Sequence, residues 1–343
     1  MPELADRPLL DTDRDSRLFV GRELELRKLL QATELGLNTL LLAEKGMGKT
    51  SLLRHLGWEL RQRNRPFVNV SGAMASNARE FVDMVAWALG SPRQEHQPGF
   101  MQQIQAFQSG PLFSGKSTPV GRPDALVREI RALGERLREK TTEEVAPPPV
   151  VLVDDAVPAI THSVFGRARD EMWNLPVAWV VAGDTAQAGE YLRPPTDSFF
   201  GRTITLPSLT VDEVRRLLMA RAGDALAPPV IDAIAGPGEG NPRAVIRVAQ
   251  EVLLGERQTD DVLAREQERH QLLENLGPPA RRLYEVLASL GSASVDPRLL
   301  ARLDWSRSRA GQVFAELENA GLVTSATEKQ SGVGRPRKVY RIA

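Results

Sequence analysis

Residues 39–54 read TLLLAEKGMGKTSLLR, and no other stretch constrains the fold as much. An apolar run enters a glycine-rich turn, and the turn enters a helix. The segment Ala43-Glu44-Lys45-Gly46-Met47-Gly48-Lys49-Thr50 fits the phosphate-loop pattern G-x-x-x-x-G-K-[ST], with Ala43 in place of its first glycine. Glycines let successive backbone N–H groups curl around an anion, and the helix that follows presents its positive end to phosphate. Lys49 is placed to neutralise the β- and γ-phosphates of a nucleotide, and Thr50 to offer a hydroxyl to Mg2+. A methyl fits at a strand end where no positive φ is needed, so Ala43 is a modest departure. Glu44, Lys45, Gly46, Met47, Gly48, Lys49, Thr50 and Ser51 are the candidate contacts to ATP.

A second signal is PVVLVDD at 149–155, an apolar run ending in an acidic pair. A carboxylate at the C-terminal end of a parallel strand stands where such sheets bind ligands. Asp154 then supports Mg2+ through water, and Asp155 orients or deprotonates an attacking water. Apolar runs predict strands over 39–42, 66–70, 150–153, 178–182 and 203–206, alternating with helices over 23–35, 49–61, 78–89 and 122–140. Runs that are continuously apolar rather than alternating point to a parallel sheet covered on both faces, an α/β fold. Residues 91–121 are polar and rich in Gly, Pro, Ser and Gln, which predicts a long loop. From Val211 onward the pattern is all-helical.

Composition removes several classes of chemistry. The chain has 343 residues, which suggests two or three domains. With 42% hydrophobic and 26% charged residues, disorder is not its dominant state. It has no cysteine, so disulfides, thiolate metal sites, iron–sulfur clusters and cysteine nucleophiles are excluded. His55, His96, His162 and His270 lack ligand-like spacing. The polar, acidic N-terminal stretch does not read as a signal peptide, and no apolar run approaches the ~18–20 residues of a membrane span. The expectation is a cytoplasmic protein with no membrane partner.

Phe19-Val20-Gly21-Arg22-Glu23, followed by an amphipathic helix and LLLAEKGMGKTSLL, resembles the opening of AAA+ and STAND-type P-loop ATPases, especially their origin-recognition/Cdc6-like branch. The resemblance covers roughly residues 17–255. It implies that Val20, Gly21 and Arg22 lie near the adenine, although Phe19 and Val20 also suit a hydrophobic staple on the next helix. Asp155 stands where many such ATPases carry Glu, and its shorter arm implies slow hydrolysis. Asp184, in AWVVAGDT, matches the polar sensor position, where Asn, Ser or Thr is more usual; a plain helix cap is the alternative. Arg202, in FFGRTITLPSL, matches the arginine finger that reaches a neighbouring subunit's γ-phosphate, with a surface arginine as the alternative. Gly240-Asn241-Pro242-Arg243 resembles the start of a lid helix, from which Arg243 touches the γ-phosphate or merely opens the helix.

Charge is unevenly spread. Lys+Arg and Asp+Glu both total 44, yet residues 276–343 hold 11 basic and 6 acidic side chains. That local surplus of five hints at a polyanionic partner. The pattern predicts helices over 278–290 and 296–303, a third over 307–320 capped by Ser306, and then strand, tip and strand. Leu283, Val286, Leu287 and Leu290 are expected to face inward on the first, and Ala310, Val313, Phe314 and Leu317 on the third. This order resembles a winged helix-turn-helix. Arg307, Ser308, Arg309 and Gln312 then open the recognition helix toward base edges, and Arg335, Arg337 and Lys338 at the wing meet phosphates or the minor groove.

The resulting expectation is a tail over 1–16, a P-loop NTPase core of AAA+-like parallel-sheet type over 17–208, a helical lid over 209–275, and a winged-helix domain over 276–343. Its function is that of a homo-oligomeric ATPase using ATP and Mg2+, slow to hydrolyse, that couples nucleotide state to double-stranded DNA binding. An ATP-gated transcription regulator or STAND-like defence or signalling switch is one alternative. A non-hydrolysing scaffold whose winged helix docks a protein is another.

Overall fold

The computed structural model describes residues 3–90, 123–141, 147–236, 240–290, 292–328 and 337–343. The 91–121 stretch and Arg335 lie outside the described residues. The chain divides into two compact units: Leu24–Ala43 with Leu53–Thr205, and Met1–Glu23 with Glu44–Leu52 and Leu206–Ala343. Helices of seven residues or more are numbered below.

The first unit is built on a parallel sheet of β1 (Thr39–Ala43), β2 (Phe67–Ser71), β3 (Val150–Asp154), β4 (Ala178–Asp184) and β5 (Arg202–Thr205), in the order β2-β3-β4-β1-β5. β1 is buried at every position, as a central strand covered on both faces must be. β5 buries only Ile204, which suits an edge strand. Helices α1 (Glu23–Glu34), α2 (Lys49–Gln62), α3 (Ala78–Gly90) and α4 (Pro123–Thr141) alternate with the strands. On one face Phe165 packs its ring 5.1 Å from Trp179 and 4.7 Å from Phe199. Truncating a ring buried to that degree costs about 3–5 kcal/mol.

Strands β3 and β4 run past the predicted ends at 153 and 182. The ladder explains this: Ser71 pairs with Asp154 and Ala43 with Asp184, so partner strands carry the acidic residues into the sheet. β5 starts one residue earlier than predicted, because Arg202 pairs with Thr39.

In the second unit, α5 (Val211–Ala222), α6 (Pro228–Ile234), α7 (Pro242–Leu253) and α8 (Thr259–Leu276) follow one another. Thr210 and Glu213 form a capping box at the start of α5. Leu217, Leu218, Ile231, Ile234, Val245 and Ile246 belong to one buried cluster, which also takes in Leu4 from the N-terminal stretch. That stretch is tied down by Glu3 N–H to Arg221 O at 2.6 Å and Gln250 Nε2 to Leu4 O at 2.6 Å.

The C-terminal residues form a separate buried cluster. Its elements are α9 (Pro278–Leu290), β6 (Ala293–Ser294), α10 (Pro297–Leu303), α11 (Arg307–Asn319), β7 (Val323–Glu328) and β8 (Arg337–Ile342), with an antiparallel sheet ordered β6-β8-β7. Ser306 caps α11 by accepting from Arg309 N–H at 3.2 Å. Ala310, Val313, Phe314 and Leu317 are fully buried, and Phe314 stacks on Tyr340 at 3.9 Å. On α9 the buried stripe is Ala280, Leu283, Tyr284 and Leu287. This is the i, i+3, i+4, i+7 face, so Val286 sits at its rim and Leu290, the last residue of the helix, is 38% exposed. Val286 packs against the cluster as expected, and the departure from the inward expectation is Leu290.

Candidate functional site

Ala43 is buried and paired within β1, with no positive φ, so the strand continues through the position where the loop pattern has glycine. The loop proper then turns on Gly46 at φ +86° and Gly48 at φ +89°. Alternating left-handed glycines fold the backbone into an anion-binding concavity at the start of α2. A Cβ on Gly48 would meet nothing within 4 Å, so backbone conformation alone demands glycine there. Glu44 and Lys45 are exposed, Met47 is buried, and Gly48, Lys49, Thr50 and Ser51 are half-buried. Lys49 Nζ donates to Glu44 O at 3.2 Å, across the head of the loop. Ser51 Oγ accepts from Leu9 N–H at 3.2 Å.

Several groups of the same unit converge on this loop. Gly21 and Arg22 are both left-handed, at φ +76° and +69°. A Cβ on Gly21 would press to 3.0 Å of Leu209 Cδ2. That turn drives Arg22 inward to 5% exposure, where Nη2 donates to Met47 O at 3.4 Å. Val20 packs against the helical cluster. From the start of α7, Asn241 Nδ2 donates to Lys45 O at 3.0 Å. Arg243, in the first turn of α7, pairs through Nε with Asp6 at 3.3 Å. Arg341 on β8 pairs with Glu44 at 3.7 Å.

In the sheet unit, parallel pairing puts the ends of β1, β3 and β4 on one edge, with β4 in the middle. Asp154 ends β3, half-buried, and its Oδ1 accepts from Asp155 N–H at 3.1 Å. Asp155 is exposed and left-handed at φ +47°, a conformation that costs a non-glycine residue about 1–2 kcal/mol. The backbone after it is clamped. Ala156 N–H donates to Ala182 O at 2.9 Å, and the Tyr191 hydroxyl donates to Ala156 O at 2.6 Å. Burial pushes the Tyr191 phenol up to about 12, so it stays a donor. Gly72 passes so close that a Cβ would lie 2.8 Å from Ala156 Cα. Asp184 ends β4 on this same edge, and its carboxylate accepts from Ala186 N–H at 2.9 Å, capping the turn Thr185–Gln187. Arg202 is different. It pairs with Thr39, at the opposite end of β1 from Ala43, about 13 Å away at strand rise.

On the C-terminal domain, Arg307, Ser308, Arg309 and Gln312 are all exposed at the N-terminal part of α11. Arg337 is exposed at the start of β8. Lys338 is engaged: its Nζ lies 2.9 Å from Glu318 Oε2 and 4.9 Å from the centre of the Tyr340 ring. Among the described residues no helix is long and apolar enough to cross a membrane.

No family model matches the sequence, and no curated protein matches it. Solved structures do align along most of the chain. The Orc1 protein of Aeropyrum pernix, solved in complex with DNA, aligns at 18% identity over 95% of this chain and 90% of its own, with TM-score 0.45. Cdc6p of Pyrobaculum aerophilum aligns at 17% identity over 96% and 93%, with TM-score 0.48. The RuvB Holliday-junction branch-migration motor of Thermotoga maritima aligns at 17% identity over 98% and 95%, with TM-score 0.44. The strand order, the glycine loop leaving the inner strand β1 and the acidic end of β3 decide the fold by themselves. The chain has an AAA+-like P-loop fold. Asn241, Gly72 and Tyr191 around its AAA+-like core, and Glu318 on α11, are not among the residues the sequence singles out. Only Asn241 left a signal, sitting inside a motif singled out for its arginine.

Proposed function

We propose that this chain is an ATP-binding, slowly hydrolysing switch that binds double-stranded DNA through its C-terminal domain and couples the two. The observation that carries the nucleotide half is the Gly46–Gly48 concavity at the start of a fourteen-residue helix, with Lys49 and the buried Arg22 against the loop. Positive charge at the N-terminus of a long helix suits the phosphates of a nucleotide. Val20, Gly21 and Arg22 are assigned to the adenine side. Among the described residues no cluster of three or more His, Cys, Asp or Glu could hold a metal alone. Mg2+ would come with the triphosphate, held by Thr50 and, through water, Asp154. That ion, when bound, neutralises charge on the phosphates. Asp155 positions the water, and Asp184 offers its edge of the sheet as sensor.

Arg243 contacts the γ-phosphate from the lid in exchange for Asp6. Arg202 stands at the far end of β1, so it serves a triphosphate only when that triphosphate belongs to another copy. This supports a homo-oligomer in which hydrolysis waits on assembly. The DNA half rests on the exposed Arg307, Ser308, Arg309 and Gln312 of α11 and Arg337 and Lys338 of β8; Arg335 is assigned to the same role from its sequence position alone. The Arg341–Glu44 pair supports coupling, since it joins the last strand to the phosphate loop.

The deciding experiment measures affinity for a DNA duplex with ATP, with ADP and without nucleotide, at two salt concentrations, for wild type and Lys49→Ala. Salt-sensitive binding that depends on nucleotide in the wild type and loses that dependence in Lys49→Ala is expected. Unchanged ATP affinity in Lys49→Ala would sink the nucleotide site. Absence of DNA binding in every state would turn the C-terminal domain into a protein-docking module.

A further inference from the structure

We propose that Asn241 is a positioning residue that fastens the phosphate loop to the lid and thereby sets nucleotide affinity and residence time. The proposal rests on the ATP reading above and deepens it.

One side-chain amide does two jobs here. Its oxygen accepts from Arg243 N–H at 3.1 Å and Ala244 N–H at 3.4 Å, capping α7. Its nitrogen donates to Lys45 O at 3.0 Å in the phosphate loop. The partners fix the amide's orientation, because backbone N–H groups only donate and a carbonyl only accepts. The contact is close. A Cβ on Gly46 would fall 2.6 Å from Asn241 Oδ1 and 3.2 Å from Arg243 Cβ, so glycine is required on the loop side to let the lid in.

The Lys45 carbonyl belongs to the peptide that continues into Gly46. In a planar trans peptide the N–H points opposite to the C=O. Holding the carbonyl on Asn241 therefore fixes the direction of the Gly46 N–H within the phosphate loop. The same side chain sets the first turn of α7, from which Arg243 projects. Loop donors and lid arginine thus share one pin.

Aspartate replaces only one of the two functions. Aspartate caps a helix as well as asparagine does, but it has no N–H for Lys45 O. It would set a carboxylate against a carbonyl, two acceptors at hydrogen-bond distance. Asn241→Asp therefore separates the lid's fold from the pin.

The test compares wild type, Asn241→Asp, Asn241→Ala and Lys49→Ala. It reads thermal midpoint without nucleotide, affinity for ATP with magnesium by calorimetry, and nucleotide release rate. Asn241→Asp keeps the helix cap, so its midpoint is expected to fall less than that of Asn241→Ala, while ATP affinity drops by about five- to tenfold, with release faster by a similar factor. Asn241→Ala is expected to lose affinity and midpoint together. Wild-type affinity in Asn241→Asp overturns the proposal. So does an affinity loss matched by the midpoint drop of Asn241→Ala, because that marks a folding defect of the lid. A wild type that binds ATP no better than Lys49→Ala overturns the ATP reading itself, and the pin with it.

Discussion

On the proposed function, Glu318 sets how much of the positive charge on β8 is available to DNA. Near the end of α11 it accepts from Ser325 Oγ at 2.5 Å and from Lys338 Nζ at 2.9 Å. The Ser325 hydroxyl, followed by Lys338, holds its carboxyl below the usual range, and Glu318 in turn raises Lys338. Lys338 must leave this partner to meet a phosphate. Glu318→Gln keeps an acceptor for Ser325 and removes the competing charge. Each phosphate neutralised adds about 0.9 to the slope of log K against log salt, so the slope should steepen by about that much. Between about 50 and about 200 mM salt this adds roughly a 3.5-fold change in affinity. Lys338→Gln should alter the slope little in wild type but cost about 0.9 in the Glu318→Gln background. Arg337→Gln should cost about 0.9 in both backgrounds. Fluorescence anisotropy on a labelled duplex across that salt range reads all of these. An unchanged slope in Glu318→Gln, or equal effects of Lys338→Gln in both backgrounds, would refute the reasoning.

Two further outcomes test the loop and the N-terminal stretch. Gly46→Ala and Gly48→Ala both place an L-residue at positive φ, costing about 1–2 kcal/mol. Gly46→Ala also displaces the Asn241 cap, for about 1 kcal/mol more; equal losses in urea denaturation without nucleotide would contradict the close approach. Asp15 is 2% exposed and accepts from Arg7 at 2.5 Å and Leu10 N–H at 2.7 Å. Burial pushes its carboxyl up, but these two donors outweigh it and leave the pKa below the ordinary 3.8. Its stabilisation is therefore complete above that value and is lost as pH falls below it, through the lower pKa of the folded state. Asp15→Asn should cost about 1–3 kcal/mol at neutral pH, and the gap from wild type should close in denaturation curves taken below pH 3.8. A gap that persists in acid would place the effect elsewhere.

What was legible in the sequence followed periodicity and local chemistry. Strands came within two residues at each end because continuous Leu and Val runs admit few other structures. Ser306 was readable as a cap, since capping is a matter of neighbours along the chain. The helical pieces Pro158–Thr161 and Arg169–Trp173, and the two-residue β6, are too short to show a period. The aromatic cluster of Phe165, Trp179, Phe199 and Phe200 is scattered along the chain and gathers only in the fold. Asp184 was open between sensor and cap, and its carboxylate does cap a turn. Asn241, Tyr191 and Glu318 escaped because their partners are remote in sequence, and no pattern in one chain records such a meeting.

The turn after β3 shows how the acidic pair combines strain with constraint. Asp155 occupies a backbone region that favours glycine, and Ala182, Tyr191 and Gly72 hold the next residue in place. A strained conformation persists only where its surroundings over-determine it, and such places cluster at functional sites. Here aspartate stands where the resembled ATPases more often carry the longer glutamate. The same sheet leaves Arg202 four rungs from that edge. On the proposed function, Arg202 is the cation that reaches the triphosphate of another copy. Hydrolysis would be gated by a second copy, and nucleotide would be held until that copy arrives.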